Sequence, residues 1–177
     1  MKIFLRMKAW MLFLFFAAPF LFSFFINFYG FPAEDFEASF RYTGYANILM
    51  VIGLYGWLYS IGVSANSQLQ PDLKRNDLGF KLGLGYAGAY SLVFFGLIGS
   101  EFMAERMSMI MPLHLLAMFG AFYGLWFSAR QLVALKESRK VTFAEYSGPF
   151  FLMWFFPIGV WFVQPIVNEL LGGAHET

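Results

Sequence analysis

Apolar and polar stretches alternate along this chain with a long period: residues 9–29, 45–63, 82–100, 110–129 and 149–167 are almost wholly apolar, and short polar segments separate them. About 20 apolar residues at 1.5 Å rise per residue cross a hydrocarbon core of about 30 Å, so each stretch is predicted to be a transmembrane helix. The pattern therefore predicts an all-α membrane protein, a single domain over residues 1–177 folded as a compact bundle of five transmembrane helices. Between them, residues 30–44, 64–81, 101–108 and 130–148 are predicted to be loops.

The last stretch, SGPFFLMWFFPIGVWFVQPIVN, is the most apolar and also the richest in helix breakers, with Pro149, Pro157, Gly159 and Pro165. In an unbroken helix the Pro157 ring presses on the carbonyl of Met153 and removes one backbone donor, so a span here is kinked at Pro157. Lipid cannot satisfy the freed groups, and the other helices must pack around this one to do so. A second reading keeps four spans and turns the run back at Pro157 and Gly159 as a re-entrant hairpin. Its arms of about eight residues are short for half-helices unless protein buries them.

Small and polar residues recur at helical spacing on most spans. Pro19, Ser23 and Asn27 share one face of the first, and Gly53, Gly56 and Ser60 one side of the second. On the third, Gly85, Gly88, Ala89, Gly96, Gly99 and Ser100 fall within about a third of the helix circumference. His114, Ala117, Ala121, Gly124 and Ser128 follow steps of three and four on the fourth. Such faces let helix backbones approach where lipid removes the hydrophobic drive, so Gly85, Ala89 and Gly96 are predicted to pack against Gly120 and Gly124.

Composition agrees with the membrane class: 59% of residues are hydrophobic, 22% aromatic and 13% charged. Soluble domains carry far more charge and less apolar surface. Charge placement orients the bundle. Ten of the 12 Lys and Arg residues lie before the first span, between the second and third, or between the fourth and fifth. That asymmetry predicts a cytoplasmic N-terminus and, with five spans, an external C-terminus. The basic start before residues 9–29 is expected to be a retained signal anchor, since no small-x-small cleavage motif follows it. The chain has no cysteine, which removes disulfides, thiolate metal sites and cysteine nucleophiles. No segment suggests a nucleic-acid partner.

Candidate chemistry is sparse. Gly83, Gly85 and Gly88 spell G-x-G-x-x-G, but no strand precedes them and no acidic residue follows at the required distance. His114 is the only ionisable residue well inside a predicted span. A Ser100–His114 hydrolytic pair lacks any motif. A metal site from His114 with Glu101 and Glu105 is disfavoured because the carboxylates face away from the glycine side of their helix. A haem would need a second histidine, and His175 lies in the terminal tail. No cofactor, metal or catalytic residue is predicted. His114 is an intramembrane polar group whose default role is a hydrogen bond between helices, and Gln164 and Asn168 share a stripe with Pro157 and Trp161. If a polar pathway exists, His114, Gln164, Asn168 and Asn27 would line it.

The segments HLLAMFGAFYGLWFSARQL and FFLMWFFPIGVWFVQPIVN, with their W-F-F-P-I-G-x-W and Q-P-x-x-N patterns, resemble small polytopic membrane proteins of bacteria that have no established activity. The resemblance covers the C-terminal third of the chain and implies the membrane class alone. Two functional classes follow from the sequence. One is an accessory subunit that packs against other membrane proteins or itself within the bilayer. The other is a small homo-oligomeric channel or transporter, in which the broken last helix exposes backbone groups to a permeant.

Overall fold

A computed structural model describes residues 3–30, 36–98 and 100–172, and among these every regular element is helical. The helices are α1 (Ile3–Arg6), α2 (Ala9–Phe25), α3 (Phe36–Gln68), α4 (Leu78–Leu97), α5 (Glu101–Glu105), α6 (Met107–Glu137), α7 (Phe143–Trp154) and α8 (Phe156–Leu171). A π-helical turn, Ile26–Gly30, prolongs α2. Three segments, Arg41–Gln68 within α3, α4 and α6, are long and apolar enough to cross a membrane, while α2 and α8 are apolar but shorter.

Helices α3, α4 and α6 form the heart of the bundle. Stacked rings of Phe80 and Phe127, 4.4 Å apart, join α4 to α6, and Tyr59 of α3 also stacks with Phe80, at 6.1 Å. Ser128 donates to the Leu58 carbonyl at 2.9 Å, tying α6 to α3. Gly62 leaves room for this knot, since a Cβ there would press on Phe80 and Ser128. The α4–α6 approach is closest at Gly120, where a Cβ would overlap the Gly83 carbonyl, and at Gly124, against Leu84. Gly120 and Gly124 therefore meet Gly83 and Leu84 of α4 and not the predicted Gly85, Ala89 and Gly96. Around Gly85 and Gly96 no side chain or neighbouring backbone lies within 4 Å of where their Cβ would stand. With Gly88 and the exposed Ala89, Gly85 instead lines a shallow groove between α3 and α4.

Helices are longer than the apolar pattern implies. The 33 residues of α3 span about 50 Å at the helical rise. With α6 nearly as long, both outrun the hydrocarbon core and absorb much of the predicted loops. The predicted loop over residues 130–148 contains the last two turns of α6 and the start of α7. That start is a capping box: Thr142 N–H and Oγ1 both donate to the Glu145 carboxylate, at 2.7 and 2.9 Å.

The predicted fifth span is not one kinked helix. The chain leaves α7 at Phe155 (φ −87°, ψ 52°) and turns back. Pro157 then sits in the first turn of α8, where a missing N–H costs no hydrogen bond. The Phe155 carbonyl accepts from the N–H groups of Ile158 and Gly159, at 3.0 and 2.8 Å, which closes the turn. Gly159 is required there, since a Cβ would overlap the Leu152 carbonyl of the other arm. The direction of each arm follows from its neighbours. On α7, Tyr146 lies by Trp126 and Trp154 by Phe122, so α7 runs antiparallel to α6. On α8, Phe156 lies against Phe16, Trp161 against Phe13 and Asn168 by Met7, so α8 runs antiparallel to α2. The C-terminal end of α8 therefore lies at the same end of the bundle as α1, where a fifth crossing would have put it at the opposite end.

Candidate functional site

The polar residues of α8 are built into a joint with the start of the chain. Gln164 is fully buried. Its Oε1 accepts from Trp57 Nε1 at 2.8 Å, and its Nε2 donates to the carbonyls of Phe4 and Met7, each at 2.8 Å. Asn168, one turn on, donates to the same Met7 carbonyl at 3.2 Å. Phe4 belongs to the single turn of α1 and Met7 lies between α1 and α2, where carbonyls near a helix C-terminus have no partner in the helix ladder. In an apolar setting each would cost free energy comparable to a lost hydrogen bond, and the two carboxamides supply the missing donors. Helical spacing at 164 and 168 is what brings both to one place.

His114 stands elsewhere, at the α4–α6 interface. Its Nδ1 is 3.2 Å from Tyr90 Oη, and its ring lies between those of Tyr90 and Phe94 at 5.6 and 5.5 Å. One turn away Tyr86 donates to the Leu113 carbonyl at 3.2 Å, a second tie between the same helices. The imidazole is half-buried and acts as a hydrogen-bond partner between two helices. It does not meet Gln164 or Asn168, which bond instead to Trp57, Phe4 and Met7. The side chain of Asn27 and all of His175 lie outside the described residues. Glu101 and Glu105 are exposed on α5, and among the described residues no three His, Asp or Glu side chains gather to hold a metal ion.

A third polar cluster is missed by the sequence pattern. At the end of the bundle near the α6–α7 turn, buried Gln131 donates to Asn66 Oδ1 and accepts from Arg130 Nη1 at 2.8 Å. Asn66 in turn donates to the Arg75 carbonyl at 2.9 Å and accepts from the Arg75 N–H at 3.0 Å, as a strand neighbour would. The Arg75 guanidinium lies 5.3 Å over the Trp126 ring, whose Nε1 donates to Tyr146 at 2.9 Å. A cation over an indole face is attracted by the ring quadrupole. The only signal in the sequence was a pair of carboxamides just beyond two apolar runs, which is indistinguishable from loop composition.

Fold and clusters together define a class, an all-helical protein with three membrane-length helices and hydrogen-bonded polar joints between them. Compared with known proteins, the chain matches no family, no curated protein and no solved structure.

Proposed function

We propose that the protein crosses the membrane four times, through α2, α3, α4 and α6, with α7–α8 as a re-entrant hairpin entering from the cytoplasmic side, and that it serves as an accessory subunit of a larger membrane assembly. Basic residues support the orientation: among the described residues, those before α2, between α3 and α4, and between α6 and α7 fall at one end of the bundle. The resemblance of its last residues to small bacterial membrane proteins suits a bacterial inner membrane.

The observation carrying the subunit reading is the place the hairpin leaves empty. Its tip reaches only the level of Phe16 and Phe122, so among the described residues the farther half of α2 has α3 as its one helical neighbour. Phe20, Leu21, Phe24 and Phe25 stand exposed there, and Phe15, Ala18, Pro19, Tyr45, Ala46 and Leu49 line a cleft of about 470 Å³ beside them. Apolar surface alone attracts no partner in lipid, but a concave surface floored by alanines allows close helix contact. A hairpin also occurs in channels and transporters, where broken helices line cavities. Here Trp154, Phe155 and Ile158 at the tip are apolar and exposed, and both N–H donors of Gln164 are engaged, which favours packing over passage.

Photo-crosslinking residues placed at Phe20 and Leu21 test this in intact membranes. Adducts with one other polypeptide in fixed ratio are expected. Adducts with a second copy of this chain would favour the homo-oligomeric channel, and adducts with lipid alone would overturn both.

A further inference from the structure

The cluster around Asn66 and Gln131 carries a cleft of about 440 Å³ at the basic end of the bundle, lined by Asp72, Lys74, Arg75, Arg130 and Lys140. Four cations and one carboxylate face it. Nearby on this surface, Arg139 pairs with Glu145 and Glu137, and Lys81 with Asp77. Among the described residues, none of the four cleft cations has a carboxylate within ion-pair distance. Two of them are also held in place. Arg130 is fixed by its hydrogen bond to buried Gln131, and Arg75 by the backbone clasp of Asn66 and by the Trp126 face. Rigid guanidinium groups that share a cleft repel each other and suit a planar or tetrahedral oxyanion that accepts from both.

The setting indicates where such an anion would come from. Trp126 and Tyr146, hydrogen-bonded to each other, form an aromatic pair of the kind that marks the boundary between headgroups and hydrocarbon. Tyr123 stacks on Trp126 at 5.3 Å and borders Gly79, next to exposed Leu78 and Leu82. A charged cleft thus opens directly above an exposed apolar strip. Basic pockets between helices at the cytoplasmic face are suited to lipid phosphate groups.

We propose that this cleft binds a phosphate group, supplied by the headgroup of an anionic phospholipid whose acyl chains lie along Leu78, Leu82 and Tyr123. The proposal uses only the location of this end of the bundle at a membrane surface, and it is independent of the subunit reading. The test uses the full chain purified in mild detergent. Retained phosphatidylglycerol and phosphatidylcholine are counted by native mass spectrometry, and thermal stability is measured with and without millimolar inorganic phosphate. Lys74→Gln/Lys140→Gln is the main variant, because neither side chain joins the buried network, and Lys140→Gln alone is the safeguard if the double variant folds poorly. Preferential retention of phosphatidylglycerol, weakened about fivefold for each basic residue removed, is the expected result. Stabilisation by inorganic phosphate that the variant loses, without lipid preference, would keep the phosphate site and assign it a soluble ligand. Equal retention of both lipids with no phosphate effect, or retention unchanged in both variants, would overturn the proposal.

Discussion

Trp57, Gln164 and the carbonyls of Phe4 and Met7 form a buried set in which every bond crosses from one part of the chain to another. Gln164→Leu keeps the volume roughly constant but strands the Trp57 N–H and the Phe4 carbonyl, each at a cost of about 1–3 kcal/mol, while Asn168 still donates to Met7. The variant is expected to lose several degrees of melting temperature in detergent, and tryptophan fluorescence should report the change at Trp57. An unshifted melting curve would mean that water replaces the carboxamide. His114 offers the opposite case. Its hydrogen bond to Tyr90 is half-buried and joins two helices already held by the Gly83–Gly120 contact. His114→Gln and Tyr90→Phe should therefore each cost about 1 kcal/mol or less, and the double variant little more than either alone. A severe loss of function in His114→Gln with stability intact would give the imidazole a role beyond packing.

The hairpin is the element on which the fold turns, and its sequence carried both of its possible shapes. Proline position alone pointed to a kink at 157. What decides for a turn is Gly159, which permits the Leu152 carbonyl to come within van der Waals reach, and that contact is invisible until the arms are folded. Gly159→Ala is therefore expected to force the arms apart and destabilise by about 1–3 kcal/mol. Gly148→Ala, with open space around it, should be nearly neutral. Chemical denaturation of the two variants in one detergent separates them. The helical class and the membrane-length segments within α3, α4 and α6 were legible because lipid imposes long apolar runs. The length of α3 and the start of α7 were not, since polar helical turns outside the bilayer look like loops. The signature was present in Thr142 and Glu145, spaced as a capping box. Hydrogen bonds from Arg139 and Thr142 hold the Glu145 carboxyl at about 2, below its ordinary value of 4.5. A depressed folded-state value means stabilisation that is complete above 4.5 and lost as pH falls through about 2. The stability difference between the native chain and Glu145→Gln should thus be constant at neutral pH and shrink steadily below pH 4.5. A difference that persists at about pH 2 would remove the carboxylate from the cap.

At the scale of the molecule, the proposed four crossings and returning hairpin put α1 and the end of α8 on one side of the membrane. Because the chain has no cysteine, Glu169→Cys is a clean reporter on an exposed position. Impermeant maleimide should label it only after the cells are opened, and labelling from outside would restore a fifth crossing. The Gln164 joint also bears on biogenesis. Its bonds to Phe4 and Met7 connect residues 160 and 157 positions apart, so these two carbonyls stay bare until Gln164 has been made. In the proposed topology the four spans precede the hairpin, but closure of the joint at Phe4 and Met7 needs it. A ribosome stalled before Gln164 would hold a bundle in which α1 is not yet locked to α3 and α8.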